Sequence, residues 1–163
     1  MMKKIFFAAF LLLALAHAGN AQNYKSAIGA RLGYPFSVSL KTFINERGAI
    51  EAFAGYRGWT GYHWYNVGAT YQHHSALGDV ADGLSWYAGG GASAYFWRFN
   101  NGFFNDNAGS TSIGILGVIG LDYKFPEAPF NLSLDWMPVF FVNGYGNGFG
   151  GAYGGLSARY VFK

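Results

Sequence analysis

Apolar residues alternate with small or polar ones along this chain. From Thr111 to Phe125 the odd positions read Thr111, Ile113, Ile115, Gly117, Ile119, Leu121, Tyr123 and Phe125. The even positions read Ser112, Gly114, Leu116, Val118, Gly120, Asp122 and Lys124. After the turn 126-PEAP-129 the alternation resumes. Phe130, Leu132, Leu134, Trp136, Pro138 and Phe140 share one parity, while Asn131, Ser133, Asp135, Met137 and Val139 share the other. A period of two marks strands with two chemically different faces. Eight segments carry it, over 25–34, 36–44, 49–58, 61–73, 83–98, 111–125, 130–142 and 152–163. The connections are rich in Gly, Pro, Asn and Asp, as turns are. They include Pro35, Asn45-Glu46-Arg47-Gly48, 58-GWTG-61, 74-HSALGDVAD-82, 99-FNNGFFNDNAGS-110 and 143-NGYGNGFGG-151. No helical period competes over a useful length, and no linker divides the chain, so the pattern predicts one all-β domain.

The content of the two faces decides which one looks inward. A soluble barrel would turn its apolar face in and cover the other with Lys, Glu, Asp and Thr. Here the less apolar face is built from small residues, among them Gly29, Gly55, Gly68, Gly89, Gly91, Gly114, Gly120 and Gly155, with Ser37, Ser39, Ser85, Ser93 and Ser157. Small side chains suit the crowded lumen of an eight-stranded barrel. The opposite face carries Ile28, Leu32, Val38, Leu40, Ile50, Val67, Leu84, Ile113, Ile119, Leu134 and Leu156. Aromatics gather near its strand ends: Tyr34, Phe36, Tyr56, Tyr71, Trp86, Phe96, Tyr123, Phe125, Tyr160 and Phe162. An apolar belt between aromatic girdles is a lipid-facing pattern. A sheet in lipid has to close on itself, because an open edge would leave backbone groups unpaired. The expectation is therefore an eight-stranded antiparallel up-and-down transmembrane β-barrel.

The same parity places Asp122, Asp135 and Glu51 in the lumen together with Arg31, Lys41, Arg57, Lys124 and Arg159. Buried charges require partners. Three carboxylates among five cations predict an internal salt-bridge network that fills the barrel instead of opening a pore.

Composition supports this class. Only 12% of the 163 residues are charged, 52% are hydrophobic and 20% aromatic, with 25 glycines. Typical soluble domains carry about 25% charged residues. Residues 1–21 read as a cleaved secretory signal peptide: Lys3 and Lys4, then the apolar run Ile5 to Ala16, then small residues around 18-AGNAQ-22. That run is too short to span a bilayer as a helix. The mature domain is expected over 22–163. Lys3 and Lys4 are two of the 11 basic residues, so 9 remain against 8 acidic ones, and nucleic-acid binding is not indicated. The absence of cysteine excludes a disulfide framework.

With these features the chain resembles the small Gram-negative outer-membrane β-barrels typified by OmpX and the membrane domain of OmpA. Stretches such as 84-LSWYAGGGASAYFW-97 and 120-GLDYKFPEAPFNLSLDW-136 also look like small uncharacterised outer-membrane barrel proteins. The likeness covers nearly all of residues 24–163. It implies insertion into the outer membrane with both termini in the periplasm. The loops at 33–35, 58–61, 99–110 and 143–151 would then face outward, and those at 45–48, 74–82 and 126–129 would face the periplasm. In the last strand Leu156, Ala158, Tyr160 and Phe162 alternate toward lipid and look like the terminal signal read by the barrel-assembly machinery. The implied partners are outer-membrane lipid and lipopolysaccharide, and the implied state is a monomer.

Catalytic chemistry has one candidate. In 71-YQHHSALGD-79, His73 precedes Ser75 by two residues and Asp79 follows, which is similar to the His-x-Ser arrangement of lipid A deacylases, themselves eight-stranded barrels. Ala76 stands where those enzymes usually carry Asn. The blander reading, polar turn residues at the membrane boundary, is preferred. His63, His73 and His74 match no metal-site spacing, and Gly89-Gly90-Gly91 lacks the Lys-Ser/Thr of a phosphate loop, so neither metal nor cofactor is expected. Loop aromatics Phe99, Phe103, Phe104, Tyr145 and Phe149 could contact lipopolysaccharide, a protein or a small ligand. The leading expectation is a structural or surface-interaction protein of the envelope. An enzyme acting on lipid A or phospholipid and a narrow channel are the alternatives.

Overall fold

The computed structural model describes residues 24–59, 61–99, 109–144, 146 and 148–162. The expected signal peptide, the loop aromatics Phe103, Phe104 and Tyr145, and Lys163 lie outside them. Ten strands appear: β1 (Ser26–Tyr34), β2 (Phe36–Phe43), β3 (Gly48–Trp59), β4 (Tyr62–Ala76), β5 (Leu84–Phe99), β6 (Gly109–Lys124), β7 (Phe130–Trp136), β8 (Val139–Phe141), β9 (Gly148–Gly150) and β10 (Gly154–Phe162). Every neighbour is antiparallel. The order β5-β4-β3-β2-β1-β10-β7-β6 closes through pairing of β5 with β6. The ring has eight staves, because β7 with β8 and β9 with β10 are single staves broken at the same level. Closure leaves no long free edge.

The breaks depart from the expected pattern in two ways: the segment 130–142 is interrupted, and β9 lies inside the expected loop 143–151. Pro138 has no N–H for the ladder, so the seventh stave is interrupted between Trp136 and Val139. The eighth is interrupted over 151–153, and the Met137 N–H donates to the Tyr153 carbonyl across the gap at 3.0 Å. The turn after β4 is also tighter than its sequence suggests. β4 continues to Ala76, and Leu77 and Leu84 bracket a hydrogen-bonded turn.

Side chains sort by parity. Ile28, Leu32, Val38, Leu40, Val67, Ile119, Leu134, Leu156 and Tyr160 are exposed on the outer wall. Lys41, Glu51, Trp64, Gln72, Tyr87, Asn131 and Arg159 are buried inside. Tyr34 departs from its expected place in the girdle. It ends β1, is half-buried, and meets Trp64 at 5.8 Å and Tyr153 at 5.2 Å between ring centroids.

Glycine makes the interior fit at two positions in β6. A Cβ on Gly114 would lie 2.3 Å from Val139 Cγ2 and 3.3 Å from the Tyr95 ring. One on Gly120 would lie 2.6 Å from Asp135 Cβ and 2.8 Å from Tyr87 Cζ. Gly117, on the outer face, would meet nothing closer than Pro138 Cγ at 3.5 Å. Gly120→Val is therefore expected to destabilise the barrel by about 1–3 kcal/mol through overpacking. Gly117→Ala should leave the urea midpoint in vesicles nearly unchanged. Equal midpoints for the two variants would show that the lumen is not tightly packed.

Candidate functional site

Six ionisable side chains from six strands meet at the centre of the lumen. β3 supplies Glu51, β10 supplies Arg159, β2 supplies Lys41, β6 supplies Asp122, β1 supplies Arg31 and β7 supplies Asp135. Each points inward because it falls on the buried parity of its strand. The Arg159 guanidinium pairs with Glu51 through Nη2. Its Nε donates to Ser39 Oγ at 2.9 Å, and its Nη1 donates to Ser133 Oγ at 2.6 Å and Asn131 Oδ1 at 3.3 Å. Lys41 Nζ lies 3.0 Å from Asp122 Oδ1 and 3.9 Å from Glu51 Oε2. Gln72 Nε2 donates to Glu51 Oε2 at 2.7 Å, and Asn131 Nδ2 donates to Asp122 Oδ2 at 2.7 Å. Arg31 pairs with Asp135 as a second centre, and the Tyr87 hydroxyl donates to Asp135 Oδ2 at 2.7 Å. Lys41 Nζ sits 4.3 Å from the Tyr87 ring centroid, which joins the two centres.

Electroneutrality explains this grouping. Three cations meet three carboxylates, and neutral amides and hydroxyls take up further donors and acceptors. A buried set of charges is tolerable only when so balanced and hydrogen-bonded. The other two cations expected in the lumen lie at its ends. The Arg57 guanidinium rests 4.5 Å from the Tyr34 ring centroid near the end that bears the loops after β3 and β5. Lys124 ends β6, and its Nζ donates to the Phe125 carbonyl and, at 2.8 Å, to the Ala128 carbonyl. Both stand near strand ends, away from the central network.

Below the network Tyr24, Ala27, Phe43 and Ala49 close the end near the termini. Above it lies an aromatic stack. Trp64 meets Tyr95 and Trp97 at 5.4 Å each, and Tyr95 meets Phe141 at 4.9 Å. Trp97 Nε1 donates to Ser112 Oγ at 3.0 Å. A cavity between Arg31, Asn66, Tyr95 and Tyr153 measures about 10 Å³, room for one water. A lumen so filled can brace the wall and offers little passage.

The catalytic candidates are dispersed. His73 and Asp79 are exposed, while Ser75 pairs in register with Trp86 on β5. No hydrogen bond links the three among the described residues. It is His74 that enters the lumen, stacking on Tyr87 at 4.8 Å with Nδ1 3.3 Å from Ser85 Oγ. Leu156, Ala158, Tyr160 and Phe162 all lie on the exposed outer side of β10. No group of three or more His, Cys, Asp or Glu among the described residues could hold a metal ion. Gln72, Thr70, which accepts from Gln72 Nε2 at 3.1 Å, and Tyr24, whose hydroxyl donates to Asp122 Oδ2 at 3.3 Å, were not singled out from the sequence as members of the network, although inward parity marks Gln72 and Thr70.

Closed, antiparallel, eight-staved and apolar outside, this is a barrel of the outer-membrane type. It is similar to the crystal structure of Neisserial surface protein A, with a TM-score of 0.63 and 15% sequence identity over 84% of this chain and 93% of that one. No protein-family model and no curated protein matches the chain.

Proposed function

We propose that this chain is an outer-membrane protein of the bacterial envelope. In this reading its barrel is a rigid, filled anchor that presents its rim and loops for contact with lipopolysaccharide or other surface partners. The observation that carries the reading is the content of the lumen: a charge-balanced network at mid-height, with packed aromatics above and below it. A conducting path would need water-lined clearance along the axis, and side chains such as Trp64, Tyr87 and Arg159 occupy that space. The outward side chains of β10 would engage the assembly machinery during insertion, and the inserted barrel would be a monomer.

Planar-bilayer recording tests the filled-lumen reading. The refolded protein is expected to give no discrete conductance steps. Reproducible unitary steps would overturn it in favour of a narrow channel. The enzymatic alternative has its own check: lipid A from cells expressing the wild type and His73→Ala/Ser75→Ala should be identical, and a deacylated product made only by the wild type would restore it.

A further inference from the structure

Two basic side chains face each other on the outer wall just above the aromatic girdle. Across β3 to β6, Gly58, His63, Arg98 and Gly109 form one cross-strand row. Trp64 and Trp97 point into the barrel, so their neighbours His63 and Arg98 point out. The row one step toward the barrel centre is Tyr56, Tyr65 and Phe96, all exposed. Two residues along a strand span about 7 Å, which sets the basic pair at headgroup height if the aromatics mark the interface. His63 is held against that row, 5.8 Å from Tyr65 and 6.4 Å from Tyr56 between ring centroids. On the β3 side the Tyr56 hydroxyl reaches up to the same row, 2.7 Å from where a Cβ on Gly58 would stand.

An anion placed between the pair would take donors from two neighbouring strands, since the guanidinium is a fork of N–H groups and imidazole offers an N–H in either protonation state.

We infer that His63 and Arg98 form a binding site for the phosphate of a membrane-lipid headgroup, with Tyr56, Tyr65 and Phe96 seating the adjoining acyl chains. This rests on the lipid-facing reading of the outer wall and specifies one lipid contact on it. Arg98 supplies the paired guanidinium donors, and His63 supplies a third donor from the neighbouring strand.

The full mature chain, refolded in a neutral maltoside detergent, would be titrated with diphosphoryl lipid A, with the same lipid stripped of phosphate, and with inorganic phosphate. Native mass spectrometry would count bound lipid. The wild type should retain the diphosphoryl form about tenfold better than the stripped form, and His63→Gln/Arg98→Gln should lose that preference. Lys25→Ala at the opposite rim should keep it. Equal retention of both lipids by the wild type would overturn the site, as would an unaltered preference in the double variant. Inorganic phosphate that competes as an equal would show a free-anion site and overturn the lipid assignment. If the double variant fails to refold, the wild-type comparison decides alone. Heat-modifiable gel migration reports the barrel separately, so an intact barrel without phosphate preference would sink this site and leave the barrel reading standing.

Discussion

Arg159→Met is expected to lower the stability of the barrel by about 3–5 kcal/mol, the range for removing one partner of a buried ion pair. The reason lies in what it leaves behind. Glu51 would keep Gln72 at 2.7 Å and Lys41 at 3.9 Å, but lose its direct guanidinium partner inside the lumen. Ser39 and Ser133 would lose their shared donor. The lumen would also pass from three against three to an excess of negative charge. Glu51→Gln creates the opposite imbalance and should cost a similar amount. The double variant Arg159→Met/Glu51→Gln should recover a large part of the loss, because residues in one network do not add. Urea unfolding in lipid vesicles, followed by tryptophan fluorescence, measures all three. Additive losses in the double variant would mean that Arg159 and Glu51 do not act on each other.

The second large effect belongs to the outer wall. Leu134 lies mid-stave on β7, flanked in register by Leu121 on β6 and Leu156 on β10, and is 59% exposed. On a water-facing surface Leu134→Arg would change stability by no more than about 0.5 kcal/mol. In hydrocarbon at mid-depth it should cost about 2–4 kcal/mol. The same substitution at Val80, 74% exposed in the turn after β4, should be nearly silent. Equal effects at the two positions would mean that the wall and the loop share one solvent.

Much of this architecture could be read from the chain. Period-two alternation located the eight staves within a few residues, and the crowding of Gly and Ser on one parity told which face turns in. Asp122, Asp135, Glu51, Arg31, Lys41 and Arg159 followed from that parity alone. What parity does not contain is register between distant strands. That Arg159 meets Glu51 from β10 to β3, with two strands between them around the ring, depends on the stagger set by closure. Strand height is also absent from parity, which is why Arg57 and Lys124 were expected in the network and stand at its ends. Pro138 was a legible sign of the break in the seventh stave, since it lacks a ladder donor. The matching break over 151–153 ends at Gly154, whose φ of +140° favours glycine, within a run so rich in glycine that its position was not marked. His74 was legible as an inward residue, because His73 and His74 must face opposite ways on a strand.

One measurement reaches the claim on which all of this depends, that the greasy face of the sheet meets acyl chains. Nitroxide labels at Ile119 and Leu134, which are 50% and 59% exposed, can be read in vesicles by collision with oxygen and with a water-soluble nickel complex. The account predicts high oxygen and low nickel accessibility at both sites, with the reverse at a label on Asp79 in the turn after β4. Nickel accessibility at Ile119 and Leu134 equal to that at Asp79 would contradict it.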